Sequence, residues 1–262
     1  MSVREAETAK SEEPDVRPQP GEMTILEHLI ELRNRVMIAA AAVLVTTLFT
    51  LIFAERIIEF LLEPARSGIS EQQFHLIYTK PFGYVGSYFR VGLLGGFTLS
   101  MPVVVYEALM YISPALTKEE KRWIFPTVLG AAAAFLAGCA FAYYVVLPPA
   151  MGFLLTFGQG TAEPFLEIGP YVDFVTRMIG AIGLSFETPL IIMFLARIGL
   201  VSSRRLLGWW RYAIVLAFVV SAIITPTIDP VTQSLVAGPI IILYALGIVL
   251  AQLFGRKTPR FS

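Results

Sequence analysis

Residues 178–196 read MIGAIGLSFETPLIIMFLA, and they indicate the architecture of the whole chain more directly than any other segment. These nineteen residues lie between Arg177 and Arg197, and Glu187, the tenth of them, is the only charged one. A helix rises about 1.5 Å per residue, so the segment covers roughly 28 Å, close to a bilayer core of about 30 Å. The segment therefore predicts a transmembrane helix with Glu187 near the middle of the membrane.

A charged residue at that depth needs an explanation. Insertion scales give a cost on the order of 2.5–3.5 kcal/mol, and such residues usually mark a functional site. We interpret Phe186, Glu187 and Pro189, part of the sequence FETP, as the centre of such a site. The alternative is that Glu187 only hydrogen-bonds to a neighbouring helix and so supports the fold.

Composition indicates an integral membrane protein. The chain has 262 residues, of which 56% are hydrophobic and 15% charged, and its mean hydropathy is +0.69. Soluble proteins carry about 25% charged residues. Because the apolar segments are long and continuous and do not alternate with polar residues, they predict helices and not a β-barrel.

Residue types also argue against several classes of site. The sequence has a single cysteine, Cys139, and it lacks an HExxH motif, a Cys/His cluster and a GxxxxGK[ST] motif. These absences argue against a zinc site, a metalloprotease and a nucleotide-driven enzyme. We expect no metal, no cofactor, no enzymatic activity and no nucleic-acid partner.

Six segments are predicted to cross the lipid bilayer. They are 36–53, 91–112, 123–147, 172–196, 212–224 and 232–254. The fifth has only thirteen residues, about 20 Å as a helix, and Gly238-Pro239 interrupts the sixth. We therefore expect short fifth and sixth helices and, opposite Glu187, a bundle that is concave on one side.

The remaining segments divide into tails, surface helices and loops. Residues 1–22 are predicted to be a disordered tail, residues 23–255 a single six-helix membrane domain, and residues 256–262 a basic tail. Residues 24–35 have apolar positions at helical spacing, which predicts an amphipathic helix that runs into the first span. Two long loops are predicted, and the first contains a short amphipathic helix that covers the bundle. The loops are 54–80 and 148–170, and the covering helix is centred on 57–62.

Basic residues are unevenly distributed between the two sides that six spans would create. One side holds Arg33, Arg35, Lys118, Lys121, Arg122, Arg197, Arg204, Arg205, Arg211, Arg256, Lys257 and Arg260. The loops of the other side hold Arg56, Arg66 and Lys80. Because cytoplasmic segments carry the excess of Lys and Arg, both termini are predicted to face the cytoplasm.

Three carboxylates lie on that cytoplasmic side, where cations are expected: Glu31, Glu119 and Glu120. If the first two spans are neighbours, Glu31 can approach one of the other two. Paired carboxylates at a membrane surface suit paired guanidinium groups, because arginine binds a carboxylate with two parallel donors. Alternatively, each carboxylate pairs only with a basic side chain beside it in sequence. Those neighbours are Arg33, Lys118 and Lys121.

Four motifs in this order resemble those of the TatC family, the polytopic subunit of the twin-arginine protein translocase. They are HLIELR at 28–33, SPAL at 113–116 followed by Glu120, FETP at 186–189, and TP at 225–226 followed by Asp229 and Gln233. The turn at 225–229 is longer than the Pro-Pro-Asp form of the family. The resemblance covers nearly the whole chain beyond the amino-terminal tail.

The resemblance implies a six-helix, cup-shaped receptor for folded cargo in the bacterial cytoplasmic (inner) membrane. Its ligands would be twin-arginine signal peptides, and its partners single-span subunits of the TatA and TatB type, with self-association in a larger complex. The implied signal-peptide residues are Glu31, Glu120, Arg33, Tyr111 and Leu116. The implied docking residues are Phe186, Glu187 and Pro189, with Glu187 facing the concave side, and Asp229 and Gln233 at the outer turn.

Two other functions are considered. A small-solute secondary transporter usually has internal repeats and midplane sites on broken helices, whereas this sequence shows no repeat and a single deep carboxylate. An intramembrane protease would need a pair of aspartates within the membrane, but Asp173 and Asp229 are both predicted at its outer rim. The transporter remains the alternative to the translocase subunit.

Overall fold

The computed structural model describes residues 25–66, 76–77, 82–156, 166–225 and 229–255. The predicted tails at 1–22 and 256–262 lie outside these residues, as do residues 226–228 of the outer turn. The longer helices are α1 (Ile25–Leu51), α2 (Ala54–Arg66), α3 (Gly83–Ile112), α5 (Ile124–Phe141), α6 (Leu147–Thr156), α7 (Ile168–Phe186), α8 (Thr188–Arg197), α10 (Trp210–Ile224) and α11 (Pro230–Phe254). The short helices are α4 (Lys118–Lys121) and α9 (Ser203–Gly208).

Five helical segments within the described residues are long and apolar enough to cross a membrane. They are Leu26–Leu51, Gly83–Ile112, Lys118–Thr156, Ile168–Arg197 and Pro230–Phe254. A predominantly helical membrane protein is therefore confirmed. Helix α10 has 15 residues, which agrees with the expected short fifth helix.

The sixth predicted span is not short, so that expectation is wrong. Helix α11 has 25 residues and continues without a break through Gly238 and Pro239. Helix α3 likewise continues through Pro102. Proline is tolerated inside membrane helices because neighbouring helices and local adjustments satisfy the freed backbone groups.

The predicted loop at 148–170 also begins later than expected. A π-helical segment, Ala142–Val146, joins α5 to α6, and the helix ends only at Thr156. Pro148 and Pro149 lie inside this continuous helical segment, directly after the π-helical turn. Neighbouring helices and local π-helical adjustments satisfy the backbone groups that a proline frees inside a membrane helix, so the two prolines do not end the segment.

Helices α1 and α3 pack closely, as expected for neighbouring spans. A Cβ atom on Gly96 would lie 2.5 Å from the Thr47 backbone, so only glycine fits at this crossing. The Thr46 hydroxyl donates a hydrogen bond of 2.7 Å to the Gly96 carbonyl oxygen. This contact helps to fix the register between the two helices. The register in turn brings side chains near the start of α1 opposite side chains near the end of α3.

The amphipathic helix predicted around 57–62 is α2, and it covers one end of the bundle. Ile58, Leu61 and Leu62 are buried in the main apolar core. The Tyr143 hydroxyl donates to the Phe60 carbonyl oxygen over 2.7 Å, and the Tyr143 ring stacks on the Phe60 ring. The covering helix is thus joined to the bundle by apolar and polar contacts together.

A short parallel strand pair was not predicted. β1 (Leu76–Ile77) pairs with β2 (Leu166–Glu167), with Leu76 opposite Leu166 and Ile77 opposite Glu167. The pair joins the segment after α2 to the start of α7. Two residues per strand give no detectable alternation in a sequence, so no pattern could have indicated them.

Candidate functional site

Five side chains connect the first part of α1 to the last part of α3, and we call them the α1–α3 ladder. His28, Glu31 and Arg35 are spaced by three and four residues and so share one face of α1. Glu107 and Tyr111 lie one turn apart on α3. The His28 and Tyr111 rings stack, with centroids 4.5 Å apart and planes 20° apart. The Arg35 Nη1 atom donates to Glu107 Oε2 over 2.9 Å.

Glu31 lies in the middle of the ladder. Its Oε1 atom is 3.5 Å from Nη2 of Arg35, and its side chain is 21% exposed. Its Oε2 atom is buried and has no hydrogen-bond partner among the described residues. Glu31, Arg35 and Glu27 line a cavity of about 540 Å³. The ladder therefore presents an acceptor that the protein itself does not satisfy.

Glu120 is held differently, in the turn that starts α4. The Thr117 N–H donates to Glu120 Oε2 over 2.8 Å, so the carboxylate caps the helix. Glu120 is buried, and it lines a second cavity of about 280 Å³ together with Arg197. The Arg197 guanidinium lies over the Trp123 ring at 4.1 Å. Glu31 and Glu120 therefore line two different cavities.

The other predicted signal-peptide residues have separate surroundings. Arg33 is exposed and donates to Asn34 over 3.3 Å. Leu116 is buried with Leu109 and Ile124 in a small apolar cluster beside the ladder. Sequence proximity suggested Arg33 as the partner of Glu31, but the structure pairs Glu31 with Arg35, one helical turn further on.

Three members of the ladder were missed by the sequence analysis as site residues: His28, Arg35 and Glu107. A signal was present, because Arg35 opens the first span and Glu107 lies near the end of the second. Opposite charges at the same membrane depth on neighbouring spans are expected to pair. The sequence does not show how each helix is rotated about its axis, so it does not show which side chains of the two helices meet.

The FETP segment forms a break between α7 and α8. Glu187 ends α7 and begins α8, and Pro189 occupies the first turn of α8. Glu187 is 5% exposed, and its Oε1 atom is buried without a hydrogen-bond partner among the described residues. The Phe186 ring lies 5.5 Å from the Phe141 ring.

We expected Glu187 to face an open cavity, whereas the structure encloses it. Close packing on both sides of the break explains this difference. A Cβ atom on Gly138 would lie 2.8 Å from the Phe186 ring, and one on Gly247 would lie 3.3 Å from the Pro189 Cα atom. The polar atom is thus retained inside the protein without a described partner, which is unusual for a buried oxygen.

Asp229 and Gln233 have internal roles at the start of α11. Asp229 Oδ1 accepts from the Thr232 N–H over 2.6 Å, which caps the helix. Gln233 Nε2 donates to the Phe218 carbonyl oxygen over 3.0 Å, and the Ser221 hydroxyl donates to the Gln233 carbonyl oxygen over 2.6 Å. Both predicted turn residues therefore stabilise the α10–α11 hairpin.

The sequence model of one family, described as the Sec-independent protein translocase protein (TatC), matches residues 27–239. The chain belongs to the TatC family. The match includes every residue of the ladder, the break at Glu187 and the start of α11.

Relatives and a solved structure agree with this assignment. The chain is 35% identical over 259 residues to the TatC protein of Synechocystis sp., covering 97% of this chain and 98% of that protein. It is 37% identical over 237 residues to the Aquifex aeolicus TatC protein, covering 90% and 97%. A crystal structure described as the twin arginine translocase receptor TatC superposes with a TM-score of 0.79 at 36% identity, covering 88% and 100%.

The family membership decides between the function classes. A core subunit of a Sec-independent protein translocase agrees with the matched family, with the relatives and with the superposed structure. The small-solute transporter is not favoured by any of these comparisons.

Proposed function

We propose that this chain is the membrane receptor of a twin-arginine translocase and binds the signal peptides of folded precursor proteins. One observation carries the proposal: Glu31 lines a cavity of about 540 Å³, and its buried Oε2 atom has no hydrogen-bond partner among the described residues. A guanidinium group has five donors in a planar fork, which suits an unsatisfied carboxylate at a partly exposed surface.

The second arginine of the peptide is proposed to bind near Glu120. Its carboxylate accepts the Thr117 N–H in the cap, and Glu120 lines the cavity of about 280 Å³, where a guanidinium could bind it. Tyr111 stacks on His28 within the ladder, Leu116 is buried in the neighbouring apolar cluster and would support the contact from behind, and Arg33 lies on the exposed side of α1. In this arrangement the ladder and the loop at 113–122 recognise the two arginines separately.

Partner subunits are proposed to dock at the break between α7 and α8. Single-span helices with a polar residue would complete the hydrogen bonding of Glu187, with Phe186 and Pro189 forming the apolar part of the contact. Asp229 and Gln233 would shape the outer turn that such a partner meets. A larger complex would contain further copies of this chain.

In the proposed topology the chain crosses the membrane six times, with α10 as the short fifth crossing. The bundle has the shape of a cup that is open on one side. Both termini face the cytoplasm, and the protein resides in a bacterial inner membrane. Support comes from the distribution of basic residues, twelve near-membrane positions on one side against three in the loops of the other.

Binding of a signal peptide tests the receptor function directly. A synthetic twin-arginine peptide should bind the purified protein, and photoreactive probes at positions next to Glu31 and Glu120 should crosslink to it. A matched peptide with Lys-Lys in place of Arg-Arg is expected to bind more weakly, because lysine lacks the planar fork. Equal binding of the two peptides would contradict the proposal.

Labelling of single cysteines tests the topology. In a Cys139→Ala background, cysteines placed in 113–122 and 197–211 should react with a membrane-impermeant maleimide only from the cytoplasmic side. A cysteine in 157–165, after the end of α6, should react only from the opposite side and serves as the control. Reaction of either basic loop from outside would contradict six crossings with cytoplasmic termini.

A further inference from the structure

Arg35 lies between two carboxylates and binds them unequally. Its Nη1 atom is 2.9 Å from Glu107 Oε2, whereas its Nη2 atom is 3.5 Å from Glu31 Oε1. The Glu107 side chain is 8% exposed, and that of Glu31 is 21% exposed. The shorter contact is therefore also the more buried one.

Physical chemistry explains this asymmetry. A buried carboxylate without a counter-charge is strongly destabilising, so Glu107 needs the guanidinium more than Glu31 does. The guanidinium fork is planar and rigid, so the bond to Glu107 also fixes the direction of the second nitrogen. At 3.5 Å that nitrogen is outside the usual range of about 2.7–2.9 Å for a charge-assisted hydrogen bond.

We propose that Glu107 is a positioning residue for signal-peptide recognition, because its shorter bond to Arg35 keeps the guanidinium from closing fully on Glu31. This inference rests on the proposed receptor function of the same site. Two carboxylates share one guanidinium here, so the triad of Glu31, Arg35 and Glu107 keeps an excess of negative charge. That charge faces the cavity through Glu31, whose Oε2 atom has no described hydrogen-bond partner.

Removal of the Glu107 charge should turn Arg35 into a competitor of the peptide. With a neutral side chain at position 107, the Arg35 fork loses its stronger partner and can close fully on Glu31, one helical turn away. An arginine of the signal peptide would then have to displace an internal guanidinium. The proposal thus predicts that a residue remote from the cavity lining controls affinity through Arg35.

The experiment measures the dissociation constant of a fluorescent twin-arginine peptide for the purified protein and for variants. Glu107→Gln is expected to weaken binding by about two- to fivefold, the range that a partly exposed ion pair supplies. The double variant Arg35→Gln with Glu107→Gln has no competing guanidinium, and it is expected to bind at least as tightly as the wild type. Glu63→Gln, on the exposed ion pair of α2, serves as the control for loss of a carboxylate.

Rescue by the second substitution separates positioning from a merely structural role. Wild-type affinity of Glu107→Gln, or a double variant that binds no better than Glu107→Gln, would overturn the inference. If Glu107→Gln alone does not fold, the double variant decides: affinity at or above the wild type supports the inference, and weaker binding overturns it. Failure of both variants to fold would show that Arg35 and Glu107 serve the stability of the protein, and it would overturn the inference.

A further variant, Glu31→Gln, distinguishes this inference from the proposed function. If Glu31→Gln binds the peptide as tightly as the wild type, the receptor site itself is wrong and the inference fails with it. If Glu31→Gln binds weakly while Glu107→Gln binds normally, the receptor site stands and only the positioning role of Glu107 is overturned.

Discussion

The α1–α3 ladder and the break at Glu187 both contain a buried carboxylate oxygen without a described partner, but their surroundings differ. In the ladder, Glu31 lies 3.5 Å from a guanidinium nitrogen and beside a cavity. At the break, Glu187 is 5% exposed between closely packed helices, with aromatic rings nearby. One site offers an ionic acceptor at an accessible surface, and the other offers a polar atom inside an apolar environment.

This difference indicates which ligands each region can recognise. A charged arginine can reach the ladder without complete loss of its hydration, and a partly exposed carboxylate can bind it. A charged ligand at Glu187 would require burial of an ion, whereas a neutral polar side chain of a partner helix would not. The peptide and the partner subunits are therefore expected at different regions of the same chain.

The largest expected effect concerns the internal charge pair of the ladder. Arg35→Ala leaves Glu107 buried without its counter-charge, and breaking such a pair costs about 3–5 kcal/mol. The melting temperature of the purified protein in detergent should fall clearly. Arg66→Ala removes an arginine from an exposed pair with Glu63 and should change stability by only about 0.2–1 kcal/mol. Similar melting temperatures for the two variants would show that Glu107 does not depend on Arg35.

The sequence predicted the positions and order of the five long apolar helical segments because continuous apolar residues determine them. Several boundaries were wrong because charged residues were taken as ends of spans. Helix α3 begins at Gly83, before Arg90, and Arg90 Nε lies 3.3 Å from Asp173 on α7. Arg177 also pairs with Asp173, at 2.9 Å. A charge that is paired across helices need not end one, and pairing of this kind is not visible in a single sequence.

The sequence predicted some residues of the candidate site but not the contact that joins α1 to α3. The family resemblance implied Glu31 and Tyr111 as site residues, and the structure places both in the ladder. The bond between Arg35 and Glu107 joins residues 72 positions apart, and it depends on how two helices are rotated about their axes. Periodicity defines a face of each helix, but it does not define which faces meet.

An intermediate effect is expected for the two acidic contacts with the peptide. Glu31→Ala and Glu120→Gln should each weaken binding of a twin-arginine peptide by roughly 1.5–3 kcal/mol, the value of a hydrogen bond to a charged group. Glutamine is chosen at position 120 because it can still accept the Thr117 N–H bond of the cap. The losses should be greater at low salt than at high salt, since partly exposed pairs are screened.

Two results would contradict this assignment. Unchanged affinity in both variants would show that neither carboxylate contacts the peptide. A loss that accompanies a lower melting temperature in Glu120→Gln would show that the cap, and not the charge, is responsible. Glu27→Gln, on the same cavity as Glu31, shows whether loss of any nearby negative charge has the same effect.

The smallest expected effect is at Glu187, where the partner is proposed to be a neutral polar group. Glutamine retains a hydrogen-bond acceptor and adds donors, whereas alanine has neither. Glu187→Gln should therefore keep most crosslinking to single-span partner subunits, and Glu187→Ala should lose part of it. Interhelical hydrogen bonds in membranes contribute about 0.6 kcal/mol on average and up to ~1.7 kcal/mol, so the loss should be incomplete.

A comparison of melting temperature with crosslinking decides between docking and internal support. Glu187 Oε1 has no partner among the described residues, so Glu187→Ala loses no hydrogen bond of that atom and should lower the melting temperature of the isolated protein only by the cost of removing a buried side chain. Ser185→Ala is the matched control, because the Ser185 hydroxyl donates to the Ala181 carbonyl oxygen over 2.7 Å within its own helix. If Glu187→Ala lowers the melting temperature strongly while partner crosslinks persist, Glu187 supports the fold. The ladder would then be the only one of the two regions with a role in recognition.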